Sequence, residues 1–96
     1  MNAPDGGGLP LVLAGGAAAR VTETDGDRAV LRSAAAAPPG SIVEGSSPEG
    51  GPPYRVKVRG CRRVAEGDPL PFRVEGRFVD LTREQRARVV RSVTGS

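Results

Sequence analysis

The amino-acid sequence predicts a mainly β fold, a small six-stranded antiparallel β-barrel with one C-terminal α-helix. Three observations support this prediction. Residues 70–79 alternate between apolar and polar side chains, which is the period of a strand with one buried and one solvated face. A capping box and a helical apolar pattern follow within a few residues. Upstream, glycine-containing turns separate several short strand-like segments, as they do in small closed barrels.

Turn residues divide the chain into its predicted strands. The Gly-Gly pair at 15–16 and the Asp-Gly pair at 25–26 are favoured hairpin sequences, so the first three strands form an antiparallel meander. The Pro-Pro-Gly run at 38–40 precedes the fourth strand, and residues 45–53 predict a flexible loop rich in glycine, proline and serine. The six predicted strands are residues 9–14, 17–24, 27–33, 41–44, 54–64 and 70–79.

The fifth strand, residues 54–64, is the longest and has two distinct faces. Tyr54, Val56 and Val58 point to one side, and the intervening basic residues point to the other. Gly60 interrupts this alternation and predicts a β-bulge, a common way for a barrel strand to bend.

The C-terminal helix is predicted over about residues 82–93. Thr82 and Gln85 have the spacing of a capping box, in which a hydroxyl and an amide bind N–H groups that the first turn leaves unpaired. The apolar side of the helix is predicted to consist of Ala87, Val89, Val90 and Val93. Arg86 lies within the same arc, and we expect its side chain to extend over the rim of the barrel.

Length and composition predict one domain, residues 9–94, after a flexible tail of residues 1–8. No apolar run approaches the roughly 20 residues that a membrane-spanning helix needs, and the first residues show no signal-peptide pattern. Cys61 is the only cysteine, which excludes an internal disulfide. We therefore expect a cytoplasmic protein without a membrane span.

The residue types that catalysis commonly uses are scarce. The chain has no histidine, which removes the commonest general base and the Ser-His and Cys-His pairs. Glu23, Asp25 and Asp27 gather acids at one hairpin, but a cation site needs further oxygen ligands, so a plain turn is expected there. The prediction is a non-enzyme with no catalytic residues, no metal site and no cofactor.

Positive charge is concentrated in the second half of the chain. Residues 1–53 carry 3 basic and 6 acidic residues, a net charge of −3, whereas residues 54–96 carry 11 basic and 5 acidic residues, a net charge of +6. The predicted basic ridge of the fifth strand consists of Arg55, Lys57, Arg59, Arg62 and Arg63. It is either a docking surface for an acidic protein or nucleic acid, or a solvated exterior partly paired with Glu75. Nucleic acid is the less expected partner, because few aromatic residues are present to stack on bases.

Three segments resemble the PilZ domain, a six-stranded bacterial barrel with a C-terminal helix. Residues 72–86 are similar to the closing strand of that family and the start of its helix, and residues 54–64 resemble the long strand before it. Residues 37–41 resemble the Pro-Gly segment that leads into the fourth strand. The resemblance covers nearly the whole chain from Leu9, and it implies a signalling role in a family whose members often bind cyclic di-GMP.

The cyclic di-GMP motifs of the PilZ family are altered in this chain. Residues 1–19 contain no arginine, so the Arg-x-x-x-Arg pair that precedes the first strand in the family is missing. In the hairpin motif Asp/Asn-x-Ser-x-x-Gly, the matching positions are Glu23, Asp25 and Arg28. By this match, Asp25 would place a carboxylate near a phosphate of cyclic di-GMP, and the Arg28 side chain would occupy space where the family has glycine. The resemblance therefore implies that cyclic di-GMP does not bind in the usual way.

These features predict a non-enzymatic, PilZ-like signalling or adaptor domain that acts through protein–protein contacts. Two alternatives stay open. One is a cyclic di-GMP receptor that uses a non-standard site around Glu23, Asp25 and Arg28. The other is a small basic barrel that binds nucleic acid.

Overall fold

The computed structural model describes residues 8–48 and 50–94 of the chain. The strands are β1 (Leu9–Leu13), β2 (Ala18–Thr24), β3 (Arg28–Ser33), β4 (Ile42–Ser46), β5 (Tyr54–Arg63) and β6 (Phe72–Val79), and the helix is α1 (Arg83–Thr94). The predicted tail, residues 1–8, lies outside the described residues except for Gly8, whose N–H donates to the carbonyl of Ser92 at 2.9 Å.

The six strands close a barrel in the order β1-β2-β3-β6-β5-β4, and all neighbouring strands are antiparallel. The predicted fold class, a six-stranded antiparallel barrel with one C-terminal helix, is therefore confirmed. Because β3 and β5 both flank β6, the outer faces of these three strands form one continuous surface. The barrel closes through a short pairing of β1 with β4, at Val12 with Ser46 and at Leu13 with Gly45.

The barrel is filled by the residues that the period-two pattern assigns to the inside. Tyr54, Val56 and Val58 of β5 are buried, and so are Val74 and Phe78 of β6. The rings of Tyr54 and Phe78 lie 6.3 Å apart with an interplanar angle of 59°, a favourable tilted arrangement. The core is completed by Leu9, Leu11, Val21, Ala29, Leu31, Ala37 and Val89.

Two strand boundaries differ from the prediction by two residues, each for a local reason. The fourth strand continues to Ser46, because Gly45 pairs with Tyr54 and is packed so closely that an added Cβ would lie 3.1 Å from Leu11. The predicted loop therefore begins two residues later. The sixth strand begins at Phe72 instead of residue 70, because the preceding backbone forms a turn bound by an aspartate side chain. The other strand ends coincide with the prediction or differ from it by one residue.

The helix begins as its capping box predicts. The Thr82 hydroxyl accepts the N–H of Gln85 at 3.0 Å, and the Gln85 Oε1 accepts the N–H of Thr82 at 2.9 Å. The buried Gln85 Nε2 also donates to both carbonyls of residues 52–53, which ties the helix start to the segment before β5. The prediction that Ala87 joins the apolar side is wrong, because α1 turns Gln85 and Val89 inward and leaves Ala87 exposed. Within the part of the chain described, no helix has the length and apolarity needed to cross a membrane.

Two β-bulges modify the barrel. The register of β5 against β6 shifts between Val58 and Gly60, which confirms the predicted bulge at Gly60. A second shift, between Val21 and Glu23 of β2, has no glycine to mark it in the sequence. This second bulge lies next to the hairpin that contains the candidate ligand residues.

Candidate functional site on the outer face of the barrel

The β2–β3 hairpin brings the three predicted ligand residues together. Glu23, Asp25 and Arg28 line one open depression of about 240 Å³, with Thr24 and Val30 completing it. The Asp25 Oδ1 accepts the backbone N–H of Arg28 at 2.8 Å and that of Asp27 at 2.9 Å. These hydrogen bonds lower the pKa of Asp25 below its ordinary value of 3.8, the one from Arg28 most of all. Asp25 therefore shapes the turn, as the sequence predicts for this acidic hairpin.

The same hairpin is held from two sides. Asp27 forms an ion pair with Arg77 of β6, and hydrogen bonding to Asp27 raises the pKa of Arg77. From α1, the Arg86 Nη1 donates to the carbonyl of Gly26 at 2.6 Å. The predicted path of Arg86 over the barrel rim is thus confirmed, and the hairpin is fixed to both helix and sheet.

The two ends of the predicted basic ridge on β5 make side-chain contacts that its middle does not. Arg55 approaches Glu44 at 3.6 Å and Asp80 at 4.0 Å, so acidic residues flank this end of the ridge. At the other end, the guanidinium of Arg63 lies 5.2 Å above the ring of Phe72, a cation–π contact. Lys57, Arg59 and Arg62 are exposed between these ends.

The expected pairing of this ridge with Glu75 is wrong. Glu75 is bound by Arg73 of its own strand, with Nε donating to Oε2 at 3.0 Å. Residues two apart on a strand share a face, so this local pair satisfies the carboxylate without β5. The basic residues in the middle of β5 therefore keep their charge uncompensated by Glu75.

Strand register arranges the outward cations of four strands into two rows. In the upper row, Arg28 of β3 lies opposite Arg77 of β6, which lies opposite Lys57 of β5. The lower row runs from β2 to β5 and consists of Arg20, Arg32, Arg73 and Arg62. Directly opposed residues have Cβ atoms about 4.5–5.5 Å apart, and like charges in that position destabilise a sheet.

The described acidic residues form ion pairs with some of these cations but not with others. Asp27 pairs with Arg77, Glu75 with Arg73, and Asp68 with Arg32 at 3.6 Å. Arg32 also donates from Nε to the carbonyl of Leu70 at 2.9 Å. Among the residues that the structure describes, the row and ridge members that form no ion pair are Arg28, Lys57, Arg59, Arg62 and Arg63, and Arg63 instead lies over the Phe72 ring.

A second depression lies between the two rows. It has a volume of about 370 Å³ and is lined by Arg28, Ala29, Val30, Arg59, Gly60, Glu75 and Gly76. Val30 is only 8% exposed although it points outward, so it forms an apolar floor between the charged side chains. The bulge next to Gly60 places Arg59 beside this floor, facing Arg28 from across β6.

Sequence reasoning missed the β3 and β6 contributions to this face. Arg32, Arg73 and Arg77 are visible in the sequence as outward residues of alternating strands. What the sequence does not contain is the register that sets them opposite one another.

The remaining chemistry-bearing residues belong to the core. Cys61 is half-buried against the core, and its sulfur accepts the N–H of Ala37 at 3.5 Å, as expected for a small core residue. Tyr54 and Phe78 are buried inside the barrel, and Phe72 lies under Arg63. Within residues 8–48 and 50–94, no group of three or more His, Cys, Asp or Glu side chains is arranged to hold a metal ion.

Comparison with known proteins adds no assignment to this geometry. No family model, no curated protein and no solved structure matches the chain. The outer face is therefore interpreted from its own residues.

Proposed function

We propose that this chain is a non-enzymatic, PilZ-like signalling or adaptor module that works through protein–protein contacts made by its outer face. The observation that supports this most is the upper row, in which Arg28, Arg77 and Lys57 oppose one another across three strands. Like charges directly opposite one another repel and destabilise the isolated domain, and an acidic partner relieves this repulsion when it binds. A closed barrel presents these side chains on rigid strands instead of loops, which reduces the ordering cost of binding.

The placement of the aromatic residues favours a protein partner over a single-stranded nucleic acid. Proteins that bind single strands combine a basic groove with exposed aromatic rings on which bases stack. Here Tyr54 and Phe78 pack against each other in the core, and the Phe72 ring is covered by Arg63. Acidic residues also interrupt the basic face, as Glu75 and Asp27 do, which suits a protein better than the continuous negative charge of a nucleic acid.

The hairpin geometry also argues against cyclic di-GMP as the ligand. Asp25 projects a carboxylate at the motif position, with its pKa lowered, so it is ionised and repels phosphate at neutral pH. The loss of one charged hydrogen-bonding contact removes about 1.5–3 kcal/mol, or one to two orders of magnitude in affinity. We expect titration calorimetry to show weak or no binding of cyclic di-GMP at micromolar concentration. Low-micromolar binding that disappears in Arg28→Ala would replace the adaptor proposal with a receptor that uses a non-standard site.

A photo-crosslinking experiment tests the adaptor proposal directly. A photoreactive residue is placed at Ile42, which is exposed on β4 opposite Lys57, or, as a control, at Arg83 on the helix, and the full chain is irradiated in its native cells. The captured protein is then purified, and its affinity is measured for the wild type, Arg59→Glu and Arg83→Glu. The two variants change the net charge equally, but only Arg59→Glu alters the outer face. Equal affinities for both variants, or capture of nucleic acid alone with steeply salt-dependent binding, would contradict the proposal.

A further inference from the structure

We infer that the partner contacts this face with a run of about three acidic residues, which bind over a three-cation site made of Arg28, Lys57 and Arg59. This inference rests on the proposed function and adds the chemistry of the partner and the part of the face that it occupies. It follows from which cations are already neutralised within the chain and which are not.

The two central cations of the lower row are neutralised inside the protein. Arg73 binds Glu75 at 3.0 Å, and Arg32 binds both Asp68 and the carbonyl of Leu70. A guanidinium that already has a carboxylate partner gains little from a second one, because its attraction for an anion is partly cancelled. The lower row is therefore expected to stabilise the sheet and its turns more than it recognises a ligand.

The free positive charge gathers around the upper row. Arg28 and Lys57 form no ion pair and flank Arg77, whose charge is matched by Asp27. Arg59 follows Lys57 by two residues at the bulge, roughly 7 Å further along β5, and Arg28 lies two strands away at roughly 10 Å. Arg28 and Arg59 also line the same depression, so two guanidinium groups face one space from opposite sides.

The size and lining of the depression fit acidic side chains. Its volume of about 370 Å³ admits side chains and not only water, and Val30 and two glycines supply a floor for their methylene groups. Guanidinium groups bind carboxylates with two parallel hydrogen bonds, which gives orientation as well as attraction. Three uncompensated cations set the number of carboxylates at about three. Arg28 and Arg59 line the depression, and Lys57 lies next to it in the upper row, two residues from Arg59. Arg62 is excluded, because it lies in the lower row opposite Arg73.

Two acids oppose an anionic ligand near this site. Glu75 lines the depression, but its charge is matched by Arg73. Asp25 forms no salt bridge with Arg28, but its charge lies close enough for the two groups to interact. Removing this charge is therefore expected to strengthen the binding of an acidic segment.

The test is a titration of the full chain with synthetic peptides, followed by two-dimensional NMR of the labelled protein. The probes are otherwise identical peptides that carry one, two, three or four adjacent glutamates, with a glutamine peptide as the uncharged control. Affinity is expected to increase up to the third glutamate and then level off, with the largest shifts at Arg28, Lys57, Arg59 and their neighbours. Arg59→Glu should weaken the three-glutamate peptide by about tenfold or more, whereas Arg62→Glu, a matched change on the same strand, should weaken it by less than about threefold. Asp25→Asn should strengthen it.

Three outcomes would overturn the inference, and they differ from failure of the proposed function. Equal losses in Arg59→Glu and Arg62→Glu would mean that the whole basic face binds without a defined site. A steady increase through the fourth glutamate would mean the same. Peptides that do not bind, combined with a captured partner protein that still requires Arg59, would keep the adaptor function but reject an acidic run as the contact. If neither peptide nor protein binds, both proposals fail.

Discussion

The inner and outer faces of the β3–β6–β5 sheet are built from the same strands but depend on different information. The inner face requires only that apolar residues alternate with polar ones, and any register that preserves the alternation buries Val56, Val74 and Phe78. The outer rows require one particular register. Sliding β3 against β6 by two residues would keep every side chain on its face but would bring Arg28 opposite Glu75 instead of Arg77. The core is thus tolerant of register, and the candidate binding surface is not.

The largest expected effect comes from the inner face. Phe78→Ala should lower the free energy of unfolding by roughly 3–5 kcal/mol, because a 9% exposed ring that packs on Tyr54 is replaced by a cavity. The change is measured by urea denaturation of the variant and the wild type. Phe72→Ala, on the same strand but only half-buried, is the control and should cost clearly less. Equal costs for the two variants would mean that the inner face does not carry the stability assigned to it.

Two glycines on neighbouring strands test whether the backbone is packed as closely at a buried position as the inner face requires. A Cβ on Gly76 would collide with the carbonyl oxygen of Lys57 and would lie 2.8 Å from Cγ1 of Val56, whereas a Cβ on Gly60 would meet open space. Gly76→Ala should therefore destabilise the protein by about 1–3 kcal/mol through forced separation of β5 and β6. Gly60→Ala should change stability by less than about 1 kcal/mol, because it adds a side chain at an unobstructed bulge.

This pair is compared by the urea midpoint at constant slope, so that a change in unfolded-state compactness is not mistaken for a change in stability. If Gly76→Ala is tolerated as well as Gly60→Ala, the close approach of the two strands is not a requirement of the fold. Such a result would also weaken the register on which the upper cation row depends.

The fold was predictable because each of its signals is local. The alternation of residues 54–58, the bulge at Gly60 and the reciprocal bonds of Thr82 with Gln85 depend on neighbours within a few positions. Errors arose where tertiary packing overrode the local pattern. Gly45 continues a strand because it pairs with both Tyr54 and Leu13. Ala87 is exposed because the Gln85 side chain takes the inward position, where it donates to backbone carbonyls.

The candidate site was predictable only in part. The hairpin residues Glu23, Asp25 and Arg28 line one depression, since they are close in sequence and joined by a turn. The cation rows combine residues from different strands. Alternation predicts which of these residues point outward, but it does not predict which residue lies opposite which. The assignment of Glu75 to β5 was wrong for the same reason, because a nearer arginine on its own strand competes successfully for it.

A smaller effect is expected at the helix that covers the end of the core. Thr82→Ala removes the acceptor of the Gln85 N–H and should cost roughly 0.5–2 kcal/mol. Thr82→Ser retains a hydroxyl in the same position and serves as the control, with thermal unfolding as the measurement. Loss of stability in both variants alike would show that the methyl group of Thr82, and not its cap, is responsible.

The smallest expected effect is on the outer face and has the opposite sign. Lys57 lies opposite Arg77 in the upper row, so Lys57→Gln removes a repulsive pair and should stabilise the protein by a few tenths of a kcal/mol, roughly the scale of one cross-strand charge pair. Because both side chains are exposed, the gain should be present at low salt and vanish at high salt, where ions screen the charges on the protein surface. A double-mutant cycle with Arg77→Gln separates the repulsion within this pair from the general effect of a less basic protein. A clear loss of stability in Lys57→Gln at low salt would show that the row is held by favourable contacts, and an acidic partner would then relieve no repulsion on this surface.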